Sequence, residues 1–152
     1  MDPSCLAIVL CDYVIEDKAT NNKSLIGLFN RIHAAKFPCS HPRMVIYISI
    51  TDGRGDTQVE VFLERGRDRR EVFKAQGKVE FREPNHVIDL VFDLRGVVFE
   101  EAGAYFVGIR TSAGKVLGER KFQVAGARGP EPGGGGFAAP GGEKTEPPGE
   151  GG

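Results

Sequence analysis

Apolar and polar positions alternate with period two through most of the first 125 residues, and no stretch of ten shows the three-to-four spacing of an amphipathic helix. Residues 6–15 are β-branched and nearly continuous in hydrophobicity, which predicts a strand covered on both sides at one end. A polar stretch follows, with Asn21 and Asn22 as a turn signal. Residues 25–37 form a second strand region, with Gly27 as a bulge or a point of close approach. Pro38 and Pro42 bracket Cys39, Ser40 and His41, so this link is expected to be extended and irregular. Met44, Ile46, Ile48 and Ile50 alternate with Val45, Tyr47 and Ser49, and the Asp52, Gly53, Arg54, Gly55, Asp56 segment has hairpin-loop chemistry. Val59, Val61 and Leu63 return on one face, opposite Glu60, Phe62 and Glu64.

The second half repeats this grammar. Residues 65–70 form a charged turn, and residues 71–75 and 78–82 form short strands, with Pro84 and Asn85 as the next corner. In residues 87–94, Ile88, Leu90, Phe92 and Leu94 face inward while Asp89 and Asp93 face water, the signature of a sheet with one wet face. Residues 97–99 lead into a tight corner at 100–103. Tyr105, Val107 and Ile109 form another inward face, and a turn at 112–114 precedes a last strand at 116–124. A buried tyrosine at such a corner can satisfy its hydroxyl on the corner backbone. Short strands at this spacing predict an all-β fold: an immunoglobulin-like or C2-like antiparallel β-sandwich of about eight strands, with a closed barrel as the competitor.

Composition adds a boundary. Residues 126–152 hold 11 of the 21 glycines and 5 of the 9 prolines, with Phe137 as their single aromatic. They are too poor in apolar surface to offset backbone entropy, so the chain divides into a sandwich domain at 1–125 and a disordered spacer at 126–152. The formal net charge of −1, with 18 Lys and Arg against 17 Asp and Glu in residues 1–125, argues against a nucleic-acid binder. No apolar run approaches the ~20 residues of a membrane-spanning helix, and the start of the chain lacks the features of a signal peptide. Cys5 and Cys11 stand about 20 Å apart along one strand, so either could pair only with Cys39. Three thiols fit a reducing cytoplasm.

Candidate chemistry is sparse. Cys39 and His41 make one loose pair of soft metal ligands; His33, His86 and Cys11 are the others, without the paired spacing of a zinc site. Asp12, Glu16, Asp17, Asp52 and Asp56 could gather at one end, as in calcium-binding C2 domains, but Lys18, Lys23 and Arg54 are interspersed. Arg54, Gly55 and Asp56 spell an adhesive tripeptide, yet the same residues are what a tight turn needs. Arg65, Arg67, Arg69 and Arg70 place four guanidiniums in six residues, suited to phosphate or carboxylate or to a solvated hairpin. Neither a nucleophile elbow nor a phosphate loop is present. His41 and Lys23 could line a polar rim at one end, around an apolar spot near Phe37.

Several separated motifs then carry a resemblance. Cys11-Asp12, the run from Lys23 through Gly27 to Phe29, Phe37-Pro38 with His41-Pro42, and Phe99 followed by Gly103, Ala104 and Tyr105 occur in this order. Together, over residues 5–124, they resemble an uncharacterised bacterial family of small stand-alone proteins. The resemblance implies a stand-alone β-sandwich and brings no activity, cofactor or ligand. The expected function is therefore a non-enzymatic cytoplasmic binding or scaffolding module whose partner is another protein, with Lys23, His41, Arg65, Arg67, Arg69 and Arg70 as the candidate contact residues. The alternative is a small metal-binding protein or enzyme built on Cys39, His41 and the acidic end loops. No cofactor is expected, and the oligomeric state is not fixed by the sequence.

Overall fold

The computed structural model describes residues 2–126; the boundary and the spacer expected beyond them lie outside the described residues. Nine strands follow one another: β1 (Ser4–Glu16), β2 (Lys23–Leu28), β3 (Arg31–His33), β4 (Cys39–Thr51), β5 (Gly55–Arg65), β6 (Glu71–Phe81), β7 (Ile88–Phe99), β8 (Gly103–Thr111) and β9 (Val116–Ala125). They form two sheets, a four-stranded sheet in the order β2-β1-β4-β7 and a five-stranded sheet in the order β3-β9-β8-β5-β6. Every pairing is antiparallel except β3 with β9. The all-β sandwich expected from the alternation is the observed architecture, with nine strands where about eight were expected.

The core is the set of inward residues of both sheets. Met44, Ile46, Ile48 and Ile50 of β4 face Val59, Val61 and Leu63 of β5 and Val107 and Ile109 of β8 across the sandwich. Phe99, Tyr105 and Phe122 close one end as an aromatic trio, with Phe99 edge-on to Tyr105 at 5.0 Å and to Phe122 at 6.1 Å. The Tyr105 hydroxyl donates to the Glu101 carbonyl at 2.7 Å, the corner bond expected from the sequence. Gly118 of β9 lets β1 come close, since a Cβ there would meet Cys5 Sγ at 2.7 Å.

Five expectations change. The 52–56 loop is not a hairpin: it carries the chain from β4 in one sheet to β5 in the other. Glycine and aspartate serve a corner between sheets as readily as a two-strand turn, because both tasks need residues tolerant of positive φ, as at Asp52 (φ 61°) and Gly55 (φ 62°). Residues 25–37 hold two strands in different sheets, with the crossing at Phe29 and Asn30. Residues 71–81 are one strand, which runs through Gln76 and Gly77 paired to β5. The link at 38–42 is strand from Cys39 onward, and only residues 34–38 cross between sheets. Pro42 fits because the paired register of β1 with β4 ends at Cys11 and Val45, leaving β4 bordered there by β7 alone. Phe92 faces inward as expected but is only partly buried, since β7 is an edge strand and its ring meets Phe73 edge-on at 6.4 Å.

Candidate interaction surface

The expected site residues fall at the end of the sandwich where β4 begins and β5 and β7 finish. The β5–β6 turn brings the four arginines together, but each is already engaged. Arg65 is buried and donates twice to Asp68, at 3.0 and 2.6 Å, with Glu101 3.5 Å away. Arg67 pairs with Glu101, Arg69 with Glu119 at 2.7 Å, and Arg70 with Glu100 at 3.5 Å. The double hydrogen bond from Arg65 holds the Asp68 carboxyl far below the usual carboxylate range. A cleft of about 240 Å³ beside the turn is lined by Arg65, Arg70, Val72, Val98, Glu100 and Tyr105. Its guanidiniums are matched by carboxylates, so it presents no surplus positive charge to an anion.

His41 and Lys23 have different partners. Lys23 lies 3.9 Å from Glu16, and Glu16 is four residues along β1 from Asp12, about 13 Å at strand spacing. His41 is partly buried beside the Phe29 ring, 6.1 Å away, with its Nε2 buried and unbonded. Asp12 lies opposite Gly27, where the positive φ of 72° and the absent Cβ leave room for its carboxyl. That is the close approach expected at Gly27. Burial pushes the His41 pKa down, opposed by the Asp12 charge and a backbone bond at Arg43. The unfolded chain therefore takes up the proton first. Stability from this group is full above the ordinary histidine range and is lost as pH falls through the lowered native value. Denaturant unfolding at pH 7.5 and 5 should show a loss in the native sequence that a His41→Gln variant lacks.

The metal alternative finds no support in the placement of its residues. Asp12, Glu16 and Asp17 lie at the end where β4 starts, whereas Asp52 and Asp56 lie past the other end of that 13-residue strand. The acidic loops are thus separated by the length of the sheet. Among the described residues, no group of three or more His, Cys, Asp or Glu side chains could hold a metal ion. Cys5, Cys11 and Cys39 are all free thiols. Leu10 is the inward residue, and Cys11 points to the outer face, buried there by its neighbours.

That outer face is what the sequence-based choice of residues missed. On the four-stranded sheet, the registers align Val9, Tyr47 and Val91 in one cross-strand row, and Leu28, Cys11, Val45 and Asp93 in the next. Ile26, Tyr13, Arg43 and Arg95 form a third, and Ser24 with Ile15 a fourth. Of the eight large apolar side chains exposed among the described residues, Tyr13, Ile15, Leu28 and Val91 stand here, Leu28 with 65% of its surface open. Cys11 and Val45 are buried without belonging to the core. One charge reaches over the patch, the Arg43 guanidinium 5.7 Å above the Tyr13 ring; the others sit beside it, with Asp93 held by Arg43 through two bonds at 3.1 and 2.9 Å and Asp89 accepting from the Tyr47 hydroxyl at 2.8 Å.

The five-stranded sheet finishes its outer face differently. Phe62 is fully buried outside the core because the Arg110 guanidinium lies 4.4 Å over its ring. Arg110 is in turn held by Glu60 and, at 3.1 Å, by Glu64. Arg69 covers Phe106 at 4.0 Å and is fixed by Glu119. Bonds from Gln76 and then Arg110 keep the Glu60 carboxyl below its ordinary pKa. One face is roofed by paired charges; the other, apart from Arg43 over Tyr13, leaves Leu28, Ile15 and Val91 open, and exposed apolar surface of that kind marks contact surfaces. The signal was present in β1, whose apolar residues fall on both parities: Ile8 and Leu10 inward, Val9, Cys11, Tyr13 and Ile15 outward.

Residues 6–125 match a family described only as a family of unknown function (DUF6941). No curated protein matches the chain. Among solved structures, a β-glucosidase from Kluyveromyces marxianus is 19% identical, with a TM-score of 0.40; the match covers 61% of this chain and 14% of that one. No helix of the described residues is long and apolar enough to cross a membrane.

Proposed function

We propose that this chain, which belongs to the family of unknown function DUF6941, is a non-enzymatic binding or scaffolding module of the cytoplasm, and that it binds through the outer face of the β2-β1-β4-β7 sheet. The observation that carries the reading is the contrast between the two outer faces: Leu28, Ile15 and Val91 lie open on one, where Arg43 reaches only over Tyr13, while arginines roof Phe62 and Phe106 on the other. Burying such a patch releases about 25 cal/mol per Å² of apolar surface, a driving force available only to a partner. Three free thiols, two of them pushed above the ordinary cysteine pKa chiefly by burial, accord with a reducing compartment. The arginine turn, matched by its own carboxylates, contributes local structure in this account.

The test compares two folded variants in capture from the native host. Leu28→Glu with Ile15→Glu places two charges in the open face and should abolish capture of the partner at unchanged secondary structure. Arg67→Ala with Arg70→Ala, at the end turn, should leave capture intact. The reverse pattern would move the contact surface to the β5–β6 turn.

A further inference from the structure

The open face has the charge pattern and outline to receive a copy of itself. Resting on the reading above, we propose that two chains pack through this face as a two-fold symmetric dimer, sheet against sheet. Three observations support this occupant. The charged residues bordering the patch on β4 and β7 are Arg43, Asp89, Asp93 and Arg95, which cancel. A face with no net charge suits a partner of the same composition better than a strongly acidic or basic one.

Order along the strand supplies the second observation. β7 presents Asp89, Val91, Asp93 and Arg95 outward in sequence. A two-fold axis in the interface plane, perpendicular to the strands and passing at residue 92, sets Asp89 of each copy against Arg95 of the other. An isologous contact makes that pair twice. Within its own chain Asp93 is held by Arg43 through two bonds and by Arg95 at 3.3 Å, and Asp89 accepts from the Tyr47 hydroxyl, so the cross-chain pair extends networks that each copy already has.

The third is shape. β2 ends at Leu28, which is aligned with Cys11, so no β2 residue stands beside Val9. The same axis exchanges the row of Cys11 with the row of Val9. It brings the exposed Leu28 of the second copy over that corner, which carries no outward β2 side chain and whose strand edge is closed by Arg120, bonded to the Ile8 carbonyl at 2.9 Å and to Asn30. Four strands about 4.8 Å apart and four rows about 6.7 Å apart give a face of about 500 Å² per copy on the flat. The pair then buries about 1,000 Å², near the lower bound for a specific interface, which implies a dimer of micromolar or weaker affinity.

Sedimentation equilibrium of the full chain, from a few micromolar to several hundred micromolar, tests this. The native chain should pass from monomer to dimer. Arg95→Asp should shift the midpoint upward by about tenfold or more, since it creates two like-charge contacts, and Asp89→Arg should do the same. Combining Asp89→Arg with Arg95→Asp should restore the native midpoint. Circular dichroism confirms that each variant is folded. A native chain that stays monomeric throughout overturns the dimer. If Leu28→Glu with Ile15→Glu nevertheless loses a captured partner, the face binds another protein and only the choice of occupant has failed. A monomer whose Leu28 and Ile15 are shielded from carbene labelling assigns the face to the chain's own residues 127–152. A dimer whose charge-swapped double variant is no tighter than the single variants overturns the two-fold register.

Discussion

Phe99→Ala should cost about 3–5 kcal/mol of folding stability, the range for emptying a fully buried phenylalanine site. Phe99 has no exposed surface, and its ring is edge-on to both Tyr105 and Phe122. It sits where β7 leaves one sheet and the chain enters β8 in the other, so the cavity would open at a place fixed from both sheets. The Tyr105 hydroxyl is anchored on Glu101 and cannot slide in to fill it. Phe92→Ala, on the partly buried inward face of the same strand, should cost about half as much, because that ring lies at an edge and, among the described aromatics, borders Phe73 alone. Asp93→Ala should cost the least of the three, as for an exposed ion pair. Urea unfolding of the three variants checks the order. Equal losses at Phe99 and Phe92 would mean that the end of the sandwich is not closed as described.

Arg110→Ala should be the most damaging substitution on an outer face, at about 2–3 kcal/mol. The change uncovers Phe62 and leaves Glu60 and Glu64, both nearly buried, without their shared cation. Removing the cation shared by two nearly buried carboxylates costs more than the pair contributes, although Lys74 at 3.5 Å from Glu60 and Arg69 at 3.7 Å from Glu64 remain and keep the loss below that of a stranded charge. Arg110→Met keeps the apolar stem over the ring and should recover part of the loss. The sign of the pH dependence follows from Glu60. Its folded pKa is depressed, so its contribution is fully present above the ordinary carboxylate range, near pH 4.3, and is lost as pH falls through the lower native value. The difference between native chain and Arg110→Ala should therefore shrink below about pH 4. Unfolding measured at pH 7 and pH 3.5 reads this directly, and a constant difference would assign the effect to packing on Phe62.

Period-two alternation made most of the architecture legible. At residues 44–50 and 88–94 the side chains separate cleanly by parity, and both inward sets lie where the pattern put them. Sheet membership was not legible, because it depends on where the chain goes after a turn rather than on the turn itself. The 52–56 loop has the chemistry of a hairpin yet crosses between sheets, and the run from Leu25 onward changes sheet at Phe29 and Asn30 without a break in hydrophobicity. Four arginines in six residues suggested an anion site because, Asp68 for Arg65 apart, their partners are remote in sequence: Glu100, Glu101 and Glu119 arrive only when β8 and β9 fold against β5. The open face required the same three-dimensional step. Val9, Tyr13, Leu28, Tyr47 and Val91 are scattered over more than 80 residues and become one surface through strand pairing alone.

The claim that this face is the contact surface is tested most directly by residue-resolved carbene footprinting of the full chain, first in dilute solution and then in extract of its native host. In dilute solution Tyr13, Ile15, Leu28 and Val91 should be heavily labelled, while Phe62 and Phe106 beneath their arginines are spared. In extract, protection should appear on those four residues and leave the β5–β6 turn unchanged. Persistent labelling of the four residues, with protection falling on Arg67 and Arg70 instead, would contradict the account.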